Sequence, residues 1–234
     1  MPRNADARTI LPAIEAALAA HGLRPRGGFQ PQPDDGLPPL PDGAAVATVL
    51  LVGHAGPQMW QCFVAQRPPG DDPLDAWSRQ AIGAVAAEFA AGAVFPFDGP
   101  PYWPFQRWAQ RAEPVHPSPL GPLIHADYGL WHAYRGALLL PGRLALPRPA
   151  AQASPCESCV DKPCLSTCPV GAVAPGQYDV PACVGHVSGP DGDDCRQGGC
   201  LARRACPVGR DYVYEGPQAA FHMAAFLRNA AATG

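Results

Sequence analysis

Eight of the nine cysteines lie between residues 156 and 206, and this cluster limits more than any other feature what the chain can fold into. The segment beyond residue 150 has few large apolar residues, so hydrophobic burial alone can hardly fold it. Thiolates that bind a metal add their binding free energy to folding. In a compartment that keeps thiols reduced, such a cluster indicates metal ligation before it indicates disulfides.

A tetrapeptide repeated within the cluster suggests how the cysteines divide. Cys-Pro-Val-Gly begins at Cys168 and again at Cys206. The first four cysteines have spacings of two, four and three residues and end in Cys-Pro, close to the bacterial ferredoxin pattern, whose fourth cysteine binds the other cluster when two are present. We therefore predict one 4Fe-4S cluster on Cys156, Cys159, Cys164 and Cys206, and a second on Cys183, Cys195, Cys200 and Cys168.

Two alternatives stay open for these cysteines. Two zinc sites would also use eight thiolates, although structural zinc usually takes paired C-x2-C spacings, which the second half lacks. The irregular spacing after residue 183 also allows one cluster with four spare thiols. Cys62 stands apart among aromatic and aliphatic residues and is interpreted as a small buried apolar residue.

Charge and hydropathy restrict the remaining function classes. Seventeen basic and twenty acidic side chains give a net charge of -3, and no basic block is present. This balance argues against a nucleic-acid partner. The longest apolar run, residues 44–53, is half the length that a membrane-spanning helix needs. The N-terminal segment has helical periodicity and no signal-peptide pattern, so the sequence predicts a cytoplasmic protein without a membrane partner.

The order of the segments predicts an α+β chain with a domain at 1–150 and a smaller one at 151–234. Residues 45–55 form a β-branched apolar run typical of a strand buried on both faces. Residues 71–93 have helical periodicity, 123–142 indicate strand, glycine turn and strand, and the tail resembles a closing helix. Residues 22–43, rich in proline and glycine, are predicted as a loop or extended arm.

The segment LIHADYGLWHAYRGALLLPG, residues 123–142, resembles a stretch of the cblC-type cobalamin-processing proteins. Segments of this chain around residues 47–61 and 72–83 are similar to that family as well. Together with the cysteine module that follows, the layout also resembles epoxyqueuosine reductases and, more distantly, reductive dehalogenases. Unlike epoxyqueuosine reductases, this chain lacks an Asp-Thr-x-Pro segment before the glycine turn, where Glu113 is the nearest candidate proton donor.

The resemblance implies a nitroreductase-like sheet-and-helix domain followed by a small ferredoxin-like domain with two 4Fe-4S clusters. It also implies a bound corrinoid, cobalamin, whose candidate contacts are His125, Gly129, Trp131 and Arg135. A flavin in the same pocket is a further candidate cofactor. An electron-donor protein such as a flavodoxin, a ferredoxin or a reductase is the expected partner.

Three functional hypotheses follow. The leading one is an iron–sulfur oxidoreductase that reduces or processes a corrinoid with electrons relayed through the two clusters. The first alternative is a ferredoxin-type electron carrier that docks a partner enzyme and binds no corrinoid. The second alternative is a tRNA-base reductase similar to epoxyqueuosine reductase.

Overall fold

A computed structural model describes residues 7–147 and 151–233. The helices are α1 (Ala7–Ala19), α2 (Gln58–Ala65), α3 (Pro73–Glu88), α4 (Phe105–Ala112), α5 (Pro155–Ser158), α6 (Val180–Ser188), α7 (Asp193–Gly198), α8 (Leu201–Arg204) and α9 (Gly216–Thr233). The strands are β1 (Arg24–Phe29), β2 (Thr48–Ala55), β3 (Gly92–Val94), β4 (Val115–Pro117), β5 (Leu123–His125), β6 (His132–Leu140), β7 (Val173–Ala174) and β8 (Gln177–Tyr178). No helix within these residues is long and apolar enough to span a bilayer.

The chain divides into two compact units. Unit 1 takes in the described residues up to Pro114 together with Ala133–Ala151, and unit 2 takes in Val115–His132 and the residues from Gln152 onwards. Residues 115–132 therefore group with the cysteine-rich part of the chain. The boundary at residue 150 stays a prediction, and residues 148–150 lie outside the described ranges.

Unit 1 contains a four-stranded sheet with the order β1, β2, β6, β3. The pairs β1–β2 and β3–β6 are antiparallel. All eight residues of β2 are buried, which confirms the strand predicted from the β-branched apolar run. Helix α3 confirms the helix predicted within 71–93, and it buries Leu74, Trp77, Ala81 and Val85 along one face. A small antiparallel sheet with helices confirms the α+β class, whereas the nitroreductase-like detail stays a prediction.

One local prediction was wrong. Residues 22–43 were expected to form a loop or arm, but Arg24–Phe29 form β1 and pair with β2. The register shifts between Pro25 and Gly28, an irregularity that an edge strand tolerates. Gly28 lies so close to β2 that a Cβ atom there would be 2.4 Å from the Val49 carbonyl oxygen. The strand therefore forms because its glycines allow close pairing, although the same glycines suggested a loop.

A buried arginine links three elements of unit 1. Arg26 on β1 is 1 % exposed and donates to the His54 carbonyl oxygen on β2 at 3.0 Å. Its Nη2 lies 2.7 Å from Glu113 Oε1, just after α4. Glu113 also accepts a hydrogen bond from the Tyr134 hydroxyl on β6. A buried charge is tolerated only when it is paired and hydrogen-bonded in this way.

This network predicts an alkaline weakness of unit 1. Burial raises the pKa of Tyr134, the Glu113 carboxylate raises it further, and Arg26 opposes both. Above about pH 10 a tyrosine in the unfolded chain ionises, while Tyr134 in the folded protein stays protonated. Rising pH therefore stabilises the unfolded state relative to the folded one. We expect the urea midpoint of the wild type to fall more between pH 8 and pH 11 than that of Tyr134→Phe. Equal losses would show that Tyr134 does not control alkaline unfolding.

Unit 2 contains two small hairpins and the short helices of the cysteine-rich segment. Strands β4 and β5 pair antiparallel, as do β7 and β8. The strands β5 and β6 and the positive φ of +57° at Gly129 confirm the predicted strand, glycine turn and strand. Helix α9 confirms the closing helix, and Gln218 and Ala219 are its buried residues near the start.

Candidate metal centre

The first predicted set of cysteines comes together in unit 2. Cys156 lies on α5, Cys164 lies in the 3-10 turn Pro163–Leu165, and Cys206 follows α8. Burial raises the pKa of the Cys156 thiol, a hydrogen bond with Ser154 lowers it, and the nearby Cys206 and Cys159 thiols raise it. Burial likewise raises the pKa of Cys164, and so do Cys206, Cys156 and Cys159. Cys206, which is distant in sequence, is thus an electrostatic neighbour of the Cys156 and Cys164 thiols.

The second predicted set also comes together, and it includes the last cysteine of the first motif. Burial raises the pKa of Cys183 on α6, a hydrogen bond with Tyr178 lowers it, and the Cys200, Cys168 and Cys195 thiols raise it. For Cys195, burial raises the pKa, a hydrogen bond from the Leu201 backbone lowers it, and the Cys200 thiol raises it. Cys168 therefore neighbours the second set and Cys206 the first, the exchange that the repeated tetrapeptide suggested.

In the second set, a backbone N–H group contacts a cysteine sulfur. The Ala172 backbone N–H donates to Cys168 Sγ at 3.3 Å. Hydrogen bonds to sulfur stabilise thiolate charge and tune the reduction potential of an iron–sulfur cluster. All eight cysteines are free of disulfides. No three Cys, His, Asp or Glu side chains within the described ranges form a site for a single metal ion. The donor chemistry fits an iron–sulfur core, and ligation itself stays a prediction.

The backbone of the glycine turn at residue 129 lies close to the backbone of the second Cys-Pro-Val-Gly, which begins at Cys206. Gly129, with φ +57°, would place a Cβ atom 2.1 Å from the Val208 carbonyl oxygen. Gly209, with φ +73°, would place one 2.3 Å from the Tyr128 carbonyl carbon. Ile124 and Leu130 pack with Cys206 in one apolar cluster. The glycine turn at 129 therefore seats the segment that carries Cys206.

Two of the four corrinoid candidates, His125 and Trp131, are buried side chains of unit 2. His125 is 8 % exposed, and its Nδ1 accepts a hydrogen bond from the Asp127 N–H at 3.0 Å. Its ring stacks on Tyr128 with the centroids 4.3 Å apart. Trp131 is 3 % exposed and packs edge-on against Tyr214, with the centroids 5.4 Å apart.

The remaining candidate with a side chain, Arg135, belongs to unit 1. Its Nε donates to Ser78 Oγ at 2.9 Å, and its Nη2 is 2.5 Å from Asp75 Oδ1. Both partners lie on α3, so Arg135 holds the helix to β6. These contacts of Arg135 lie within unit 1, and the packing of Gly129 against Val208 lies within unit 2. Neither supports the corrinoid assignment, which stays a prediction.

Arg203 is a residue whose position the sequence did not reveal. Its guanidinium carbon lies 4.5 Å from the ring centroid of Trp131 and 4.7 Å from that of Tyr214. Its Nη2 donates to the Leu130 carbonyl oxygen at 2.5 Å. A cation held between two aromatic rings, three residues before Cys206, can offset negative charge on the first set of thiolates.

The carboxylate of Glu113, the candidate proton donor, forms an ion pair and hydrogen bonds within unit 1. It accepts hydrogen bonds from Arg26 and from Tyr134, and its side chain is 12 % exposed. Glu113 is therefore a structural ion-pair partner within unit 1.

The fold and the two sets of four thiols place the chain in a class of α+β proteins with a cysteine-rich module. No family model matches the chain, and no curated protein matches it in sequence. Among solved structures, it is similar to epoxyqueuosine reductases. A crystal structure of epoxyqueuosine reductase with an epoxyqueuosine-modified tRNA-Tyr stem loop is 13 % identical, with a TM-score of 0.52 and coverage of 90 % of this chain and 68 % of that one.

Two further structures of epoxyqueuosine reductase give nearly the same result. One, from Bacillus subtilis with its catalytic aspartate loop swung out of the active site, is 14 % identical, with a TM-score of 0.51 and coverage of 90 % and 68 %. The other, labelled with selenomethionine, is 13 % identical, with a TM-score of 0.50 and coverage of 92 % and 69 %. At such identities the likeness establishes the fold alone. It confirms the resemblance to epoxyqueuosine reductases at that level, whereas the resemblance to cblC-type proteins stays a prediction.

The comparisons correct the sequence-based expectation about partners. A nucleic-acid partner was judged unlikely from the net charge of -3 and the lack of a basic block, yet a protein of this fold is solved with a tRNA stem loop. That expectation was wrong because net charge averages the whole surface, whereas a nucleic acid contacts only part of it. The solved neighbours carry the name of the second alternative, epoxyqueuosine reductase, and not that of a corrinoid-processing protein.

Proposed function

We propose that the protein is an iron–sulfur reductase that acts on a modified base in RNA, in the manner that the name epoxyqueuosine reductase describes. The observation that carries the proposal is the grouping of eight thiols into two sets of four, in a chain whose fold is similar to that of those enzymes. A protein with two such sets has the means to accept and pass on single electrons.

The proposed reaction is the removal of an epoxide oxygen. Both carbon–oxygen bonds break, the two carbons become doubly bonded, and the oxygen leaves as water after taking two protons and two electrons. A reduced flavodoxin, ferredoxin or similar donor protein supplies the electrons. Each 4Fe-4S cluster, when bound, carries one electron at a time.

This chain's own residues have defined tasks in the proposal. Cys156, Cys159, Cys164 and Cys206 hold one cluster, and Cys183, Cys195, Cys200 and Cys168 hold the other. The Ala172 N–H and the Tyr178 hydroxyl stabilise sulfur in the second set. Arg203 stabilises the first set through its charge and fixes Leu130 through its hydrogen bond.

A corrinoid cofactor is the part of the proposal that rests on sequence resemblance alone. His125, Gly129, Trp131 and Arg135 are its candidate contacts. Adding cobalamin to the anaerobic protein tests it: a shift of the visible spectrum to the base-off form supports the assignment, and an unchanged spectrum with no measurable affinity removes it. A flavin has no supporting observation and is left out.

The test of the proposed function uses a stem-loop RNA that carries epoxyqueuosine. We expect anaerobically purified protein with about eight irons per chain to remove one oxygen atom from the base when reduced methyl viologen is present. Mass spectrometry of the digested RNA reports the product. The matched control is Cys62→Ala, whose cysteine lies in unit 1 and outside both sets, and it should react like the wild type.

Two outcomes would contradict the proposal. Fully iron-loaded and reducible protein that leaves the modified base unchanged would favour an electron carrier instead. Zinc in place of iron in the purified protein would remove the redox role altogether.

A further inference from the structure

We propose that unit 1 carries a second binding site, a pocket for one unstacked base of single-stranded RNA together with its phosphate. The pocket has a volume of about 690 Å³ and is lined by the turn Pro33–Asp35, the loop before α4 and one face of α4. This volume lies within the range of about 300–1,000 Å³ that is typical of small-molecule sites. All of its lining residues belong to unit 1.

The pocket is a built structure with a fixed frame. Arg107, Trp108 and Arg111 follow one another at helical spacing on α4 and share one face. Arg111 forms an ion pair with Asp35 at 2.5 Å, which joins the helix to the turn on the other side. The guanidinium of Arg111 also lies 4.0 Å from the ring centroid of Phe29, so its position is held from two sides.

Aromatic rings provide a stacking surface. Trp103 stacks on Trp108 with the ring centroids 5.8 Å apart and an interplanar angle of 29°. Trp108 is 1 % exposed and is the inner ring of this stack. Tyr102, which precedes Trp103 in the sequence, is 65 % exposed. A tyrosine so exposed buries little on folding, and a planar ligand is the natural partner of its ring. Bases stack on such rings with little regard to their identity.

Two of the charged side chains that line the pocket have no ion-pair partner among the described residues. Arg111 is paired with Asp35, and Asp98 is paired with Arg79 at 2.7 Å. Arg107 and Asp34 line the same pocket and have no hydrogen bond or ion pair among the described residues. A free guanidinium suits a phosphate, and a free carboxylate accepts hydrogen bonds from the exocyclic amino group of a base.

A nucleotide offers the flat ring, the acceptors, the amino donors and the negative charge that this set of side chains calls for. A neutral sugar would leave Arg107 without a partner.

The choice of RNA as the source of the base rests on the proposed function, whereas the pocket does not. The test therefore measures binding and not reduction, so the two proposals can fail separately. The probe is a fluorescein-labelled single-stranded RNA heptamer, titrated with the full-length protein and followed by fluorescence anisotropy.

Three variants and one control define the expected results. Tyr102→Ala should weaken binding by about 5- to 150-fold, the effect of losing one base stacked on an aromatic ring. Tyr102→Phe keeps the ring and should bind like the wild type. Arg107→Ala should weaken binding and reduce the slope of log K against log salt by about 0.7, the value of one phosphate contact on a single strand. Arg143→Ala removes an exposed arginine that does not line the pocket. It should reduce the slope of log K against log salt less than Arg107→Ala does.

The outcomes that overturn the proposal are equally specific. Tyr102→Ala binding as tightly as the wild type, with its circular dichroism spectrum unchanged, would show that the rings do not stack on a base. Double-stranded RNA binding as tightly as the heptamer would exclude an unstacked base. Tryptophan fluorescence quenched by maltotriose and unaffected by cytidine monophosphate would identify a carbohydrate pocket instead.

Discussion

Replacing Cys156 together with Cys206 by alanine is expected to remove one cluster and leave about four irons per chain. Cys156→Ala together with Cys168→Ala should leave none. The reason is the exchange of thiolates: Cys206 neighbours Cys156 and Cys164, whereas Cys168 neighbours Cys183. Iron analysis and electron paramagnetic resonance of the reduced proteins measure both results.

The same pair of double variants contains its own control. If each motif closed its own cluster, the results would be reversed, and the variant at 156 and 168 would keep about four irons. Cys62→Ala should keep the full iron content, since Cys62 belongs to unit 1. Loss of all iron in both double variants would indicate that neither cluster forms without the other, and the exchange would then have no support.

The second large effect is expected from Gly129→Ala. A Cβ atom at this position would be 2.1 Å from the Val208 carbonyl oxygen and 2.7 Å from its carbonyl carbon, and both belong to backbone that cannot rotate away. The φ of +57° adds strain for any residue with a side chain. We expect a loss in the free energy of unfolding on the order of 3–5 kcal/mol, seen as cluster bleaching at a much lower temperature.

Gly121→Ala is the matched control for this variant. Gly121 also lies in unit 2 and has a positive φ of +93°, but a Cβ atom there would meet nothing within 4 Å. It should cost only backbone strain, about 1–2 kcal/mol. Equal bleaching temperatures for the two variants would show that the contact between the glycine turn and the Val208–Gly209 backbone does not stabilise unit 2.

Much of the fold could be predicted from local pattern. The buried strand β2 and the helix α3 follow from hydrophobic runs whose period depends on near neighbours alone. β1 could not be predicted in this way, because two glycines and a proline suggest a loop until a partner strand is known. Its stability comes from pairing with residues at least twenty positions away in the sequence.

The candidate site divides along the same line. The repeated Cys-Pro-Val-Gly predicts which four thiols belong to each set, since a chemical pattern of that kind is local and repeated. That ligand assignment stays a prediction. The burial of Trp131 and the place of Arg203 between two rings could not be predicted, because they depend on how α8 packs on residues 130–131 and on Tyr214. The same is true of the base pocket, whose turn and helix are about seventy residues apart.

By itself, then, the sequence determined the α+β class and the main strand and helix of unit 1, whereas the ligand chemistry and pairing of the cysteines stay predictions. Only the tertiary structure decided that residues 115–132 join unit 2, that Glu113 is an ion-pair partner of Arg26, and that Arg135 forms an ion pair with Asp75 on α3. The physical reason is the range of the interactions. Periodicity and ligand spacing are properties of neighbouring residues, whereas a buried charge or a close glycine contact takes its meaning from a distant segment that the sequence alone does not place.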